Sequence, residues 1–210
     1  LLVSDPETDR AAAALDVHVG YFSDPADLPG LAHFCEHMIF LGTKPFPEEN
    51  SFDAYLSANG GNNNAFTDQE DTCFFFSSGA AGLEGALERF GTFFTSPLFT
   101  ASATEREINA IDSENAKNQQ SDAFRLNQVA SSRANPAHPF RKFGTGSKAT
   151  LPGKSGRDLR AALLEHYDKY YRAPLMTLCI LGQQDLGTLT ALAEKHFGGV
   201  RGAAPDALQA

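Results

Sequence analysis

His33, Glu36 and His37 stand at i, i+3 and i+4 within Leu31-Ala32-His33-Phe34-Cys35-Glu36-His37-Met38. At 3.6 residues per turn the two histidines lie about 40° apart on one face of a helix. Two imidazoles so placed can grip one metal ion, and Glu36 leaves the helix on nearly the same side. Metal-assisted hydrolysis needs this grouping, because the ion acidifies water and a neighbouring carboxylate accepts its proton. With 6 histidines and 12 glutamates in 210 residues, the spacing arises by chance in roughly one chain in a hundred. The flanks Leu31, Phe34, Met38, Ile39, Phe40 and Leu41 are apolar, which places the polar trio inside the protein. Without partners it would be costly there, and a metal ion removes the cost.

Two histidines leave a catalytic ion short of a third protein ligand. The polar helix expected after Ser102 offers Glu105, Glu107, Asp112 and Glu114. Glu107 and Glu114 are seven apart and therefore fall within about 20° of one another, two turns apart. Ala103, Ala110 and Ile111 share that face and argue that it packs inward. One such carboxylate suits a ligand and the other a group that orients a histidine. Spacing does not decide which is which, and two solvated glutamates would give the same pattern. His138 among prolines, and His166 and His196 on late helices, read as surface or capping residues.

The surrounding elements follow from periodicity and punctuation. Ala14 to Gly20 alternates as a strand, with Leu1 to Ser4 as its expected hairpin mate across Asp5 to Asp9, and His18 on the solvent face. Asp24 to Gly30 is a loop leading into a helix from Leu31 to about Leu41, closed by Gly42 as C-cap. Glu48 to Ser57 reads as helix and Asn59 to Asn64 as a dense turn cluster. Ala65 to Thr67 and Thr72 to Ser77 form a hairpin, and Gly82 to Thr95 is an apolar-periodic helix. Ser102 to about Arg133 is the longest helical stretch. A loop rich in Pro and Gly, including Gly144, Gly146, Gly153 and Gly156, precedes a helix from Leu159 to Tyr171. Leu175 to Gly182 is a near-continuous apolar run, expected as a buried strand, and Asp185 to Phe197 is a final helix. The pattern predicts one α+β domain of two layers over residues 1–200, a mostly antiparallel sheet packed against helices. Residues 201–210 read as a tail, the start of a linker in a longer chain.

The bulk properties exclude several classes. A formal charge of −9 with no basic stripe argues against nucleic acid as a partner. No run of 18 apolar residues exists, which argues against a membrane partner. At 42% hydrophobic and 20% charged, the composition is that of an ordinary folded domain. Cys35, Cys73 and Cys179 are too few and too dispersed for a disulfide framework, which fits a reducing, cytoplasmic setting. Cys35, at i+2 from His33, turns away from the histidine face and reads as a packing residue.

Beyond these derivations, several segments closely resemble the insulysin branch of the inverted zinc peptidases. They are Pro29 to Met38, Phe40 to Thr43, Asn64-Ala65-Phe66-Thr67, Arg106 to Glu114, and His138-Pro139-Phe140 with Lys142 to Gly146. The likeness runs from about Leu1 to Gly199. It implies one zinc ion per chain held by His33, His37 and Glu114, Glu36 as general base, and Glu107 supporting the site. It implies a peptide substrate added as a strand along Asn64, Ala65 and Phe66, with Phe40, Phe66 and Phe124 as apolar walls, although core packing accounts for such phenylalanines equally well. It also implies a homologous C-terminal half or second subunit that closes a chamber over the site. The function expected is a zinc-dependent metalloendopeptidase domain. The competing reading is a noncatalytic domain that binds peptide or a homologous half without cleaving alone. A donor set of nitrogen and oxygen also admits manganese or cobalt.

Overall fold

Along β2 (Arg10–Val17) Ala11, Ala13, Leu15 and Val17 are buried and the residues between them are not. That is the period-2 pattern of a strand with one covered face. In the structure, a computed structural model describing residues 1–151 and 158–202, β4 (Thr72–Gly79) answers this pattern in register. Leu15 lies opposite Phe74 and Ala13 opposite Phe76, so both strands direct their apolar residues to the same side. β3 (Asn62–Thr67) pairs antiparallel with the far side of β4, and β5 (Met176–Gly182) pairs antiparallel with β2. β1 (Leu2–Ser4) runs parallel to β5, giving the order β1-β5-β2-β4-β3. The sheet is mostly antiparallel and is packed against helices, the α+β architecture expected.

Seven α-helices accompany the sheet among the described residues: α1 (Leu31–Ile39), α2 (Ser51–Ala58), α3 (Leu83–Phe93), α4 (Ala101–Asn118), α5 (Asp122–Arg133), α6 (Leu159–Tyr170) and α7 (Leu186–Phe197). Between sheet and helices lies an aromatic core. Phe90 makes edge-to-face contacts with Phe76 and Phe94 at 5.2 Å, and Phe52 meets Phe93 at 5.1 Å. α1 runs across the sheet beside β3 and packs on α4 and α6. The motif helix is thereby fixed from three sides.

The structure corrects several sequence expectations. β1 is not the hairpin mate of β2, because β5 lies between them and bonds to both. Asn62 to Asn64 belong to a strand, since the ladder to β4 overrides their turn propensity. The long helical stretch is two helices separated at residues 119–121, where Ser121 takes an extended conformation. β5 is only partly covered, with Ile180 and Gly182 its buried residues. Phe40 is the C-cap of α1, and Gly42 follows two residues later at φ 93°. His166 is a core residue, 4% exposed, because it faces Tyr170 and Tyr171. Gly153, Gly156 and the tail from residue 203 lie outside the described residues. No helix among the described residues is long and apolar enough to cross a membrane.

Candidate metal centre

α1 begins at Gly30, whose φ of 97° turns the chain sharply into the helix. The first turn is held by a side chain the sequence reading passed over. Asp24, 2% exposed, accepts from Gly30 N at 2.7 Å and from Ala32 N at 2.8 Å. These are free N–H groups of a helix start, where a carboxylate is favoured. Burial pushes the Asp24 carboxyl up to about 7, against the pull of those donors and of Lys142. One turn on, Leu31, Phe34, Cys35 and Met38 enter the core and leave His33, Glu36 and His37 on the opposite side.

Each imidazole is oriented through Nδ1. His33 Nδ1 lies 2.7 Å from the Thr145 carbonyl, and His37 Nδ1 lies 2.8 Å from Glu107 Oε1. A carbonyl oxygen only accepts, so a proton of His33 sits on Nδ1, and the Glu107 carboxylate places one on Nδ1 of His37; in the neutral imidazoles each Nε2 lone pair is then free. The two Nε2 atoms then face each other at 3.2 Å. Glu114 Oε2 completes a triangle, 3.6 Å from His33 Nε2 and 3.4 Å from His37 Nε2. With both imidazoles neutral, three acceptors converge, an arrangement that repels unless a proton or a metal ion lies between them. A tetrahedral ion with bonds of 2.0–2.1 Å spaces its ligands about 3.3–3.4 Å apart. The triangle fits zinc.

The electrostatics agree. Burial would lower the His37 imidazolium, yet Glu107 and Glu114 outweigh it and raise it to about 9. Burial raises the Glu36 carboxyl, opposed chiefly by His33. Glu114 is held below its ordinary value by its hydrogen bond to His37. The pocket therefore favours positive charge, a proton or a metal ion.

Glu36 also lies close, with ligand-capable atoms of His33, Glu36 and His37 all within 4.8 Å of one another. Its Oε2 is engaged by the Thr67 hydroxyl at 2.5 Å, whereas Glu114 Oε2 meets both Nε2 atoms. Of the other acids the sequence offered, Asp112 turns to Lys148 and Glu105 is exposed. Ala103 and Ile111 pack inward as expected, while Ala110 is exposed.

A cavity of about 1180 Å³ opens over the triad. β3, at the sheet edge, forms one wall with Asn64, Ala65, Phe66 and Thr67; Asn115, Asn118 and Phe124 of α4 and α5 form another. Phe66 and Phe124 are half exposed and ready to cover apolar atoms. Phe40 does not line this cavity. It packs against Phe93 at 5.2 Å and Phe74 at 6.0 Å, drawn inward at the end of α1 by the aromatic core. His138 accepts from Phe140 N as a capping residue, and His196 is half-buried. Sequence reasoning missed Thr67 and Thr145, which act on the trio from strand and loop positions with no periodic signal.

Comparison with known proteins places this geometry in a context. Residues 1–137 match the family described as Insulinase (Peptidase family M16), and residues 158–209 match Peptidase M16 inactive domain. The insulin-degrading enzyme of Mus musculus is 51% identical over 203 residues, covering 95% of this chain and 20% of that protein. The A-factor-processing enzyme of Saccharomyces cerevisiae is 49% identical, covering 90% of this chain and 19% of that protein. A putative zinc protease of Schizosaccharomyces pombe, mug138, is 47% identical, covering 96% and 21%. The crystal structure of pitrilysin superposes with a TM-score of 0.92 at 37% identity, covering 96% of this chain and 22% of that one. The chain thus spans about one fifth of the length of the curated relatives it matches.

Proposed function

This chain belongs to the insulinase family of M16 peptidases, and from that premise we propose that it is the zinc-bearing part of a metalloendopeptidase. One observation carries the reading: His33 Nε2, His37 Nε2 and Glu114 Oε2 converge at 3.2–3.6 Å, each of them an acceptor when the imidazoles are neutral. His33, His37 and Glu114 would hold one zinc ion per chain, and Glu107 would fix His37. When bound, zinc supplies Lewis acidity, acidifying water toward about 7 and polarising a carbonyl.

The remaining work falls to side chains of this chain. Glu36 accepts the proton from water and returns it to the leaving amine. Thr67 occupies one carboxylate oxygen of Glu36, which leaves the other free for that transfer. β3 has no strand on its outer side among the described residues. An extended peptide can add there through main-chain hydrogen bonds, which give affinity with little demand on sequence. Phe66 and Phe124 shield apolar side chains of that peptide. A homologous half or second subunit would close the open side of the cavity.

Metal analysis and a quenched-peptide assay, with the chain alone and with a complementary C-terminal half, test the proposal. Glu36→Gln is expected to retain zinc and lose turnover. Glu114→Ala is expected to lose zinc. Full turnover by Glu36→Gln, or full zinc occupancy in Glu114→Ala, overturns the corresponding role. Zinc without turnover in every combination supports a domain that binds but does not cleave.

A further inference from the structure

The Thr145 carbonyl that orients His33 comes from a segment 112 residues away. Something must hold that segment against the start of α1. Part of the answer is backbone fit: a Cβ on Gly30 would lie 2.3 Å from the Gly146 Cα, and Gly146 itself takes φ 80°. Close approach alone sets no register, because two glycines can slide past each other. The register comes from Lys142. Its amine donates to the carbonyls of Phe22 and Asp24, the latter at 2.6 Å. Asp24 in turn binds Gly30 N and Ala32 N through its carboxylate.

A closed circuit results. It runs from Lys142 to the main chain of Phe22 and Asp24, through the Asp24 carboxylate to the first turn of α1, along α1 to His33, across to Thr145, and back three residues to Lys142. We propose that Lys142 is a positioning residue of the metal centre: its amine locks the 142–147 loop against the 22–24 segment, so that the Thr145 carbonyl holds the proton of His33 on Nδ1 and aims Nε2 at the ion. The proposal rests on the metal-site reading above. A lysine amine is well suited to the task, with three donors and no acceptor. Lys142 is half-buried and both carbonyls belong to main chain, so the contact is built into the fold instead of being shared with solvent. Lys148, on the same loop, instead reaches Asp112 at 3.7 Å and has no part in the circuit.

Two readouts separate positioning from general stabilisation. The first is the Nδ1–H resonance of His33 in the metal-free protein, which is expected to be sharp and slow to exchange in the wild type and lost in Lys142→Met. The second is cobalt affinity by chelator competition, expected to fall by about tenfold, the lower end of the range for groups that orient a ligand. Lys148→Met should leave both unchanged. Lys142→Gln, too short to reach both carbonyls, gives the same reading if the methionine variant does not fold. Wild-type resonance and affinity in either folded neutral variant overturn the proposal, as does an equal loss in Lys148→Met. If the wild type binds no cobalt, the metal-site reading fails, and the His33 resonance still tests the lock.

Discussion

Thr67 Oγ1 donates to Glu36 Oε2 at 2.5 Å, so the last residue of the edge strand holds one oxygen of the proposed general base. The strand expected to receive substrate and the group expected to move the proton are thereby coupled. Removing the hydroxyl frees the Glu36 carboxylate to rotate. A hydrogen bond to a charged group contributes about 1.5–3 kcal/mol, so Thr67→Val should lower kcat by about 10- to 100-fold. Zinc content should not change, and Thr67→Ser should restore most of the rate. Peptidase assays alongside metal analysis check this, and an empty site in Thr67→Val would move Thr67 from supporting the base to supporting the ligands.

Glu107 and Glu114 are both close to His37, on different nitrogens. Glu107 meets Nδ1 at 2.8 Å, whereas Glu114 approaches Nε2 at 3.4 Å. The nitrogen that faces the site distinguishes a ligand from its supporter. Glu107→Ala should weaken zinc binding by about 10- to 100-fold, as is usual when the partner of a ligating histidine is lost. Glu114→Ala, which removes one of the three proposed ligands, should weaken it further. Chelator competition gives the order directly, and the reverse order would exchange the two roles.

Gly30 sits at φ 97° with the Gly146 backbone where a side chain would go. Gly30→Ala combines left-handed strain with a backbone clash, a loss of about 2 kcal/mol or more. For a chain of this length the melting temperature should fall by about 4–8 °C. Gly60 has φ 66° and open space, its nearest neighbour being Arg10 Nη1 at 4.0 Å. Gly60→Ala should therefore cost only about 1 kcal/mol and spare zinc affinity. Equal losses of metal in the two variants would separate the Gly30–Gly146 contact from the site.

What the sequence revealed and what it hid divide along physical lines. α1, the Ala65–Thr67 part of the β3–β4 hairpin and helices α3, α6 and α7 were legible because each carries local patterning with clear stops, while Asn62–Asn64 of β3 read as turn residues. The three-residue β1 has no such period, and adjacency in sequence suggested pairing with β2. The pairing that forms is set by Met176–Gly182, more than 170 residues away. The break between α4 and α5 lacks Gly or Pro and so left no punctuation. His33, Glu36 and His37 share one helix turn and announced themselves, whereas the spacing of Glu107 and Glu114 put them on one helix face without deciding between an inward pair and two solvated glutamates. Asp24, Lys142 and Thr145 act through main-chain groups across 6 to 120 residues, and no spacing rule records such contacts.

Two buried groups should pull the pH dependence of stability in opposite directions. Burial raises Asp24 from 3.8 to about 7. The folded state then binds its proton more tightly than the unfolded chain, and this term weakens the fold as pH rises from about 4 to 7. Burial lowers His166 from 6.5 to about 3. Here the unfolded chain binds the proton more tightly, so the term strengthens the fold as pH rises from about 3 to 6.5. Each is worth up to about 4–5 kcal/mol by linkage. Their slopes largely cancel between pH 4 and 6.5, and the wild type should show little slope from this pair. Single substitutions expose each side. His166→Phe should give a protein whose unfolding free energy falls from pH 4 to 7, and Asp24→Asn one whose unfolding free energy rises from pH 3 to 6.5. Urea titrations of both variants at half-unit intervals read the slopes, which do not depend on the constant loss each substitution adds. A matching slope in the two variants would mean that one of these groups is not buried in solution.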